Sequence, residues 1–446
     1  MLGPALSWLA TAQQCFTDDG GYLTRGLLTS AFAPIIGLER IWHLDAMDDP
    51  GFALLTGGQR CPSRHSVGAW RRHLLWYEVD AFCRRTSPWH LIRSDYVLVS
   101  YDEHTIARWT HKFHIKKGYV TTRNKFMRCE KLFFAYDLMH DRYLSVRATP
   151  GDWGLGDLAV PLVRQTLRHG RPAYLHALFD AGAGASDAQV RALVDLAHAE
   201  APRLDVTLRA CRRPHRVKVW QGLPPDEFTS YWEAGPYSTA PAKEIRLAET
   251  ITVLKGETAA QAVRTIVCRE IVPGPKKDRW HPLFTTALTL PEDVLRMYRT
   301  RQYHEQAYRV GVHDEQLDAV PCGYDKESPD PKRPRFHRGP LQMMGWLVAL
   351  VYNAVGDWAT RLAGAWAGSQ MRTLRRCFFN RSGTLYATPR ALIVHLDPFA
   401  GQEALLPVID EFNAERHRLP WFGDRQVVVS LTPRPQHENQ HQRDGP

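Results

Sequence analysis

The segment between residues 96 and 209 constrains the fold most, because its hydrophobic pattern alternates between strand and helix spacing in a defined order. The pattern predicts strands at 96–101, 133–138, 143–148, 173–179 and 204–209, and helices at 155–168 and from Ser186. This β-β-β-α-β-α-β order is typical of an α/β fold. It predicts a mixed sheet flanked by helices, in which the first and fourth strands lie side by side.

Two of these predicted strands end at an aspartate. Asp102 follows the strand at 96–101, and Asp180 follows the strand at 173–179. Neighbouring strands would bring the two carboxylates to one edge of the sheet. The sequence therefore predicts a paired acidic site there.

A third acid lies in a helix predicted at 292–310. Tyr298, Arg301 and Glu305 stand at i, i+3 and i+7, so one helix face would present all three. Three converging carboxylates repel one another unless cations neutralise them, and hard oxygen ligands suit Mg²⁺ or Mn²⁺. Two such ions can promote phosphodiester displacement. Three unrelated surface acids are the alternative interpretation.

The rest of the chain divides by pattern into further regions. Residues 1–95 are predicted to be helical and include a basic amphipathic segment from Ser66 to Phe82, which could enter a DNA groove or belong to an ordinary helical bundle. The core would occupy 96–210 and 291–360, interrupted by a β-rich insertion at 211–290 with a strand at 216–220. Residues 361–446 would form an α+β region with a disordered tail from 433.

The composition favours a polyanionic partner. Lys and Arg number 57 against 47 Asp and Glu, giving a net charge of +10. The eight cysteines are scattered without zinc-site spacing, which is typical of reduced thiols in a cytoplasmic protein. The apolar stretch at 341–355 is shorter than the roughly 20 residues of a membrane helix, so it predicts a buried helix and no membrane partner.

Basic residues with interleaved aromatics form two candidate DNA-binding stretches. The first lies in a hairpin expected between 108 and 131, and the second opens the insertion, where Trp220 could stack on an unpaired base or simply pack in the core. The candidates are Lys112, Lys116, Lys117, Arg123, Lys125, Arg212, Arg213 and Trp220. A solvated basic surface is the alternative for both stretches.

The motif Tyr298, Arg301, Glu305, with Asp102 in Ser-Tyr-Asp-Glu-His-Thr and Asp180 in Leu-Phe-Asp-Ala-Gly, resembles the DDE transposases of bacterial insertion sequences. The resemblance covers roughly residues 96–355. It implies an RNase H-like core with a β insertion before the glutamate, and catalytic, metal-binding roles for Asp102, Asp180 and Glu305 with Mg²⁺ or Mn²⁺. It also implies phosphate contacts by Tyr298 and Arg301.

The same resemblance implies the partners of such an enzyme. These are double-stranded DNA, as terminal repeats and as target, and a second copy of the chain in a homodimer on DNA, in the cytoplasm at the bacterial nucleoid. The family pattern continues with a lysine seven residues after the glutamate, where this chain has Val312. Arg309, one turn after Glu305, could replace that phosphate contact.

Two other functions fit the same residues. One is a catalytically inactive, transposase-derived DNA-binding protein, which the Val312 departure favours. The other is an RNase H-like nuclease that cuts DNA without strand transfer.

Overall fold

The computed structural model describes residues 1–17, 22–110, 115–233, 242–255, 261–272, 278–315, 317–321 and 336–431. The chain forms two compact units. We call Leu75–Arg309 with Val320–Ala349 the core unit. We call Met1–Leu74, Val310–Ala319 and Leu350–Pro446 the terminal unit.

Helices and strands have the following bounds. The α-helices are α1 Leu2–Cys15, α2 Tyr22–Ile36, α3 Pro50–Leu55, α4 Arg64–His73, α5 Trp76–Thr86, α6 Leu155–Gly170, α7 Asp187–Ala199, α8 Pro214–Gln221, α9 Pro291–Arg299, α10 Arg301–His313, α11 Arg338–Arg361, α12 Met371–Leu374 and α13 Leu406–Glu415. The strands are β1 Tyr96–Ala107, β2 Lys117–Val120, β3 Lys125–Asp137, β4 Arg142–Pro150, β5 Tyr174–Phe179, β6 Leu204–Arg209, β7 Thr229–Glu233, β8 Lys243–Leu254, β9 Gln261–Glu270, β10 Arg279–Trp280, β11 Leu283–Thr285, β12 Gly383–Ala387, β13 Ala391–Leu396, β14 Arg418–Leu419 and β15 Arg425–Leu431.

The core unit is built on one large mixed sheet. Strands β4, β3 and β1 pair antiparallel, and β5 and β6 continue from β1 in parallel. This order, β4-β3-β1-β5-β6, is an RNase H-like arrangement and confirms the predicted mixed sheet. Strands β11, β9, β8 and β7 extend the same sheet beyond β6, so the β-rich stretch enlarges the sheet.

Helices α6 and α7 form where the sequence predicts them and cover one face of this sheet. In α7, Ser186 and Gln189 form a capping box, which satisfies two backbone N–H groups at the helix start. The buried Tyr101 of β1 donates a hydrogen bond to Thr166 of α6 at 2.8 Å and stacks on Phe179 of β5. These contacts fix the last residue pair between β1 and β5, which the two aspartates directly follow.

Strand β1 is longer than predicted. It continues from Asp102 to Ala107 because these residues keep pairing with β3, with Asp102 opposite Phe134. The parallel pairing with β5 nevertheless ends at Tyr101 and Phe179. Asp102 therefore lies within a strand, at the point where one of that strand's two ladders ends.

The expected strand at 216–220 is wrong, since these residues belong to helix α8. Pro214 occupies the first turn, where its missing N–H costs nothing, and Gly222 follows the helix end. Arg216 and Trp220, four residues apart, are both buried, which a strand with alternating faces would also have allowed. The alternating Val-Lys-Val pattern therefore did not distinguish a strand from a helix at 216–220.

The helix expected from Ser66 to Phe82 is two helices. Ser63, not Ser66, caps α4 by accepting a hydrogen bond from the Ser66 N–H at 3.2 Å. The extended backbone of Leu74 ends α4 before α5 begins at Trp76.

The terminal unit contains α1 to α4 and a four-stranded sheet of order β12-β13-β15-β14. Its strands and α13 agree with the α+β region expected near the C-terminus. The expected disordered tail lies outside the described residues. The predicted helix at 341–355 lies within α11, and most of its residues are buried. Among the described residues, no helix is long and apolar enough to span a membrane.

Candidate active site

The pairing register places Asp102 and Asp180 side by side. Tyr101 and Phe179 form the last residue pair between the parallel strands β1 and β5, and the two aspartates follow directly. Asp180 also stands directly before a short 3₁₀ helix, Ala181–Gly184, at its N-cap position. Asp102 and Asp180 therefore follow the same residue pair at one edge of the sheet, and their role as metal ligands stays a prediction.

Arg301 joins Asp102 to Glu305. Its Nη1 donates to Asp102 Oδ2 at 2.7 Å, and its Nη2 donates to Glu305 Oε1 at 2.7 Å. The Arg301 side chain is only 9% exposed, whereas the Glu305 side chain is 48% exposed. The guanidinium therefore stands between the aspartate pair and the glutamate.

The predicted helix at 292–310 is broken between Tyr298 and Arg301. The Thr300 hydroxyl and its N–H both donate to the Met297 carbonyl, and this local bonding ends α9. Arg301 then begins α10, and Glu305 follows one turn later on the same face. Tyr298 packs at the end of α9 against apolar residues of the sheet.

The electrostatics of the site reflect its partial burial. Burial and the neighbouring Asp180 raise the pKa of Asp102, although Arg301 opposes this shift. Burial alone would lower the pKa of Arg301, but Asp102, Tyr298, Asp180 and Glu305 together raise it. Arg301 therefore does not fully offset the cost of ionising the partly buried Asp102.

The two aspartates are the kind of ligand that suits a hard divalent cation. Two adjacent carboxylates are the chemistry that such an ion neutralises, and the pKa of one of them, Asp102, is raised. Asp102 Oδ1 accepts from the Glu103 N–H and Oδ2 from Arg301, so both oxygens have protein partners. Within the described ranges no three His, Cys, Asp or Glu side chains converge as metal ligands, and the expected three-carboxylate site stays a prediction.

Proteins similar to this chain are found among solved structures. The chain matches no family model and no curated protein sequence. Among solved structures, it is similar to a piggyBac transposase in a cryo-EM structure of a synaptic complex with hairpin DNA. The TM-score is 0.42 at 12% identity, and the match covers 84% of this chain and 76% of that one.

His304 is a residue of this site that the sequence interpretation missed. Its Nδ1 lies 2.9 Å from the Ser100 hydroxyl, and its ring stacks on Tyr136 at an interplanar angle of 3°. Burial, followed by the Arg301 charge, lowers the His304 pKa to about 3, so the ring is neutral. The sequence could have indicated His304, because residues three apart in a helix lie on the same face and Arg301 faces the sheet.

The hairpin of β2 and β3 carries the first basic stretch, as predicted. Lys116, Lys117, Arg123 and Lys125 are exposed on it, and Lys112 lies outside the described residues. Trp109 and Phe126 are 72% and 73% exposed. The charges of Arg123 and Lys125 lie 5.4 and 5.8 Å from the Trp109 ring centroid, so this surface combines cations with open aromatic faces.

The second basic stretch differs from its prediction. Trp220 is 1% exposed within the core cluster, so it packs and does not present a face for base stacking. Arg213 pairs with Asp187 at 2.9 Å. Arg212 and Arg309 are exposed.

Proposed function

We propose that this protein is a DDE-type transposase that cuts DNA at the ends of a mobile element and joins the freed ends to target DNA. One observation carries the proposal: Asp102 and Asp180 lie side by side at the edge of an RNase H-like sheet, with Glu305 tied to Asp102 through Arg301. The ordered Asp, Asp, Tyr-Arg-Glu motifs support the same assignment.

In the proposed reaction, a water oxygen attacks a backbone phosphorus, and the bond from phosphorus to the 3′ oxygen breaks. The freed 3′-hydroxyl then attacks a phosphorus of the target strand, where a new P–O bond forms and the bond to the target's own 3′ oxygen breaks, leaving a 3′-hydroxyl on the target. Two Mg²⁺ or Mn²⁺ ions, when bound, would activate the attacking oxygen and stabilise the leaving one. Asp102 and Asp180 would hold them, with Glu305 as the third ligand. Arg301 and Tyr298 would contact the phosphate, as the family resemblance implies.

The hairpin of β2 and β3 is the proposed DNA contact of the core unit. Lysine and arginine side chains attract phosphates, and exposed aromatic rings stack on unpaired bases. Trp109 takes the stacking role that the sequence suggests for Trp220. Arg212, Arg309, Lys116 and Lys117 would add phosphate contacts. The proposed partners are terminal-repeat and target DNA, bound by a homodimer.

A strand-transfer assay tests this function. The substrate is a plasmid carrying the gene with its flanking DNA, incubated with Mg²⁺, a target plasmid and wild-type protein or Asp180→Asn. Joined products from wild type alone are expected. Asp293→Asn, which changes an exposed carboxylate of α9, is the matched control and should retain activity. Equal products from wild type and Asp180→Asn would refute the catalytic assignment, and cutting without joining would favour the nuclease.

DNA binding without catalysis is the second candidate function. Val312 stands where the family pattern has a lysine, and Arg301 separates Glu305 from the aspartate pair. If DNA binding is strong and equal in wild type and Asp180→Asn while neither yields products, this candidate replaces the first.

A further inference from the structure

A second charged site lies in the core unit, away from the aspartate pair. A cavity of about 270 Å³ opens between α5, β4, α6 and the start of α11. Five arginines line it: Arg84, Arg147, Arg164, Arg168 and Arg338. None of these four elements carries Asp102, Asp180 or Glu305.

The residues that line this cavity carry more positive than negative charge. Asp80 is the one acid among its lining residues, and it pairs with Arg84 at 3.7 Å. Among the described residues, no carboxylate lies within ion-pair distance of Arg147, Arg164 or Arg168. Three of the five guanidinium charges, those of Arg147, Arg164 and Arg168, therefore have no ion-pair partner among the described residues.

The electrostatic effects of this crowding are visible at two lining residues. Burial lowers the pKa of Arg338, and the charge of Arg147 lowers it further, while Asp80 opposes the shift. Burial also lowers the pKa of His169, with added effects from Arg168 and Arg84. These like charges are therefore close enough to repel one another.

Two features of the lining residues bear on this repulsion. Arg164 and Arg168 are four residues apart on α6, a spacing at which like charges destabilise a helix. The Arg338 guanidinium lies 4.5 Å from the Trp76 ring centroid, which orients its charge without neutralising it. An arrangement that costs free energy in the free protein is suited to an anion that restores the balance.

We propose that this pocket binds a phosphate group. Guanidinium groups donate paired hydrogen bonds to phosphate oxygens, and the cavity has room for a phosphate. The phosphate could belong to a nucleic-acid backbone or to a small phosphorylated molecule. The proposal depends on the pocket alone, so it holds whether or not the aspartate pair is catalytic.

Inorganic phosphate is the first probe, used with the full chain. Phosphate is expected to raise the melting temperature of wild-type protein more than chloride does at equal ionic strength. Arg164→Gln with Arg168→Gln should weaken phosphate binding, measured by calorimetry, by about tenfold or more. The control, Arg93→Gln with Arg203→Gln, removes two exposed arginines outside this pocket and should leave phosphate binding unchanged.

DNA binding separates the two sources of phosphate. If the pocket holds a backbone phosphate, the pocket variant should reduce the slope of log affinity against log salt by about one for each phosphate that it no longer neutralises. If the ligand is a small phosphorylated molecule, the variant binds inorganic phosphate more weakly and keeps the wild-type DNA slope. Both results support a phosphate site and identify its source.

A measurement on wild-type protein covers the case in which the variant does not fold. Phosphate should protect Arg164 and Arg168 from an arginine-specific dicarbonyl reagent, and mass spectrometry of peptides should show no protection of Arg93. Equal modification with and without phosphate, or equal phosphate binding by the pocket and control variants, would overturn the proposal.

Discussion

Replacing Arg301 with glutamine should destabilise the core unit through its bond to Asp102 far more than through its bond to Glu305. Both bonds are 2.7 Å long, so length alone does not rank them. Exposure does: the Asp102 side chain is 29% exposed and the Glu305 side chain is 48% exposed. Solvent screens the second pair more strongly than the first.

The two interactions therefore have different expected magnitudes. A hydrogen bond to a charged group contributes about 1.5–3 kcal/mol, and we expect a coupling free energy of about 2 kcal/mol between Arg301 and Asp102. An exposed ion pair contributes about 0.2–1 kcal/mol, which is the expected coupling between Arg301 and Glu305.

Two double-mutant cycles measure these couplings. One combines Arg301→Gln with Asp102→Asn, and the other combines Arg301→Gln with Glu305→Gln. Urea unfolding at neutral pH gives the free energy of unfolding for each variant. If the Glu305 coupling equals or exceeds the Asp102 coupling, the assignment of Arg301 as the counter-ion of the aspartate pair is wrong.

Three further outcomes follow from the structure. Divalent-cation binding should weaken as pH falls, because protonation of Asp102 removes a ligand. The weakening should begin above the ordinary aspartate pKa of 3.8, since the pKa of Asp102 is raised. A Mn²⁺ titration at several pH values checks this. In the terminal unit, burial and, to a smaller degree, the charge of Asp314 raise the pKa of Glu315 well above 4.5. The folded state therefore binds this proton more tightly than the unfolded state does. The free energy of unfolding should decrease as pH rises from 4.5 to the raised pKa of Glu315. Glu315→Gln should flatten this dependence in urea unfolding, and an unchanged slope would contradict it. Trp109→Ala should weaken binding of a single-stranded oligonucleotide by about 1–3 kcal/mol, whereas Trp232→Ala, which changes another exposed tryptophan, should not.

The sheet and the aspartate pair could be predicted because local patterns specify them. The strands predicted between 96 and 209 are mainly apolar runs with polar boundaries, and the two helices predicted there have helical spacing of their apolar residues. Adjacency of Asp102 and Asp180 then follows from the order of elements. The sequence was less informative where two structures share one pattern, as at 216–220, where Val-Lys-Val fits a strand or a helix.

The contacts around Arg301 could not be predicted from spacing. Helical periodicity placed Arg301 near Glu305, but the bond to Asp102 joins residues far apart in the chain and depends on how α10 meets β1. The helix break at Thr300 depends on a hydroxyl that competes for one carbonyl. The arginine-lined pocket likewise draws its residues from four separate elements, none of which has an unusual local sequence.

Binding of Mn²⁺ to the free protein tests the central claim most directly, because it requires neither DNA nor turnover. Calorimetric titration of wild-type protein is expected to show a site whose affinity falls at least about tenfold in Asp180→Asn, since that substitution removes one carboxylate of the pair. Asp293→Asn should bind Mn²⁺ as wild type does. Equal Mn²⁺ affinity in wild type and Asp180→Asn would contradict the assignment of Asp102 and Asp180 as a metal-binding pair.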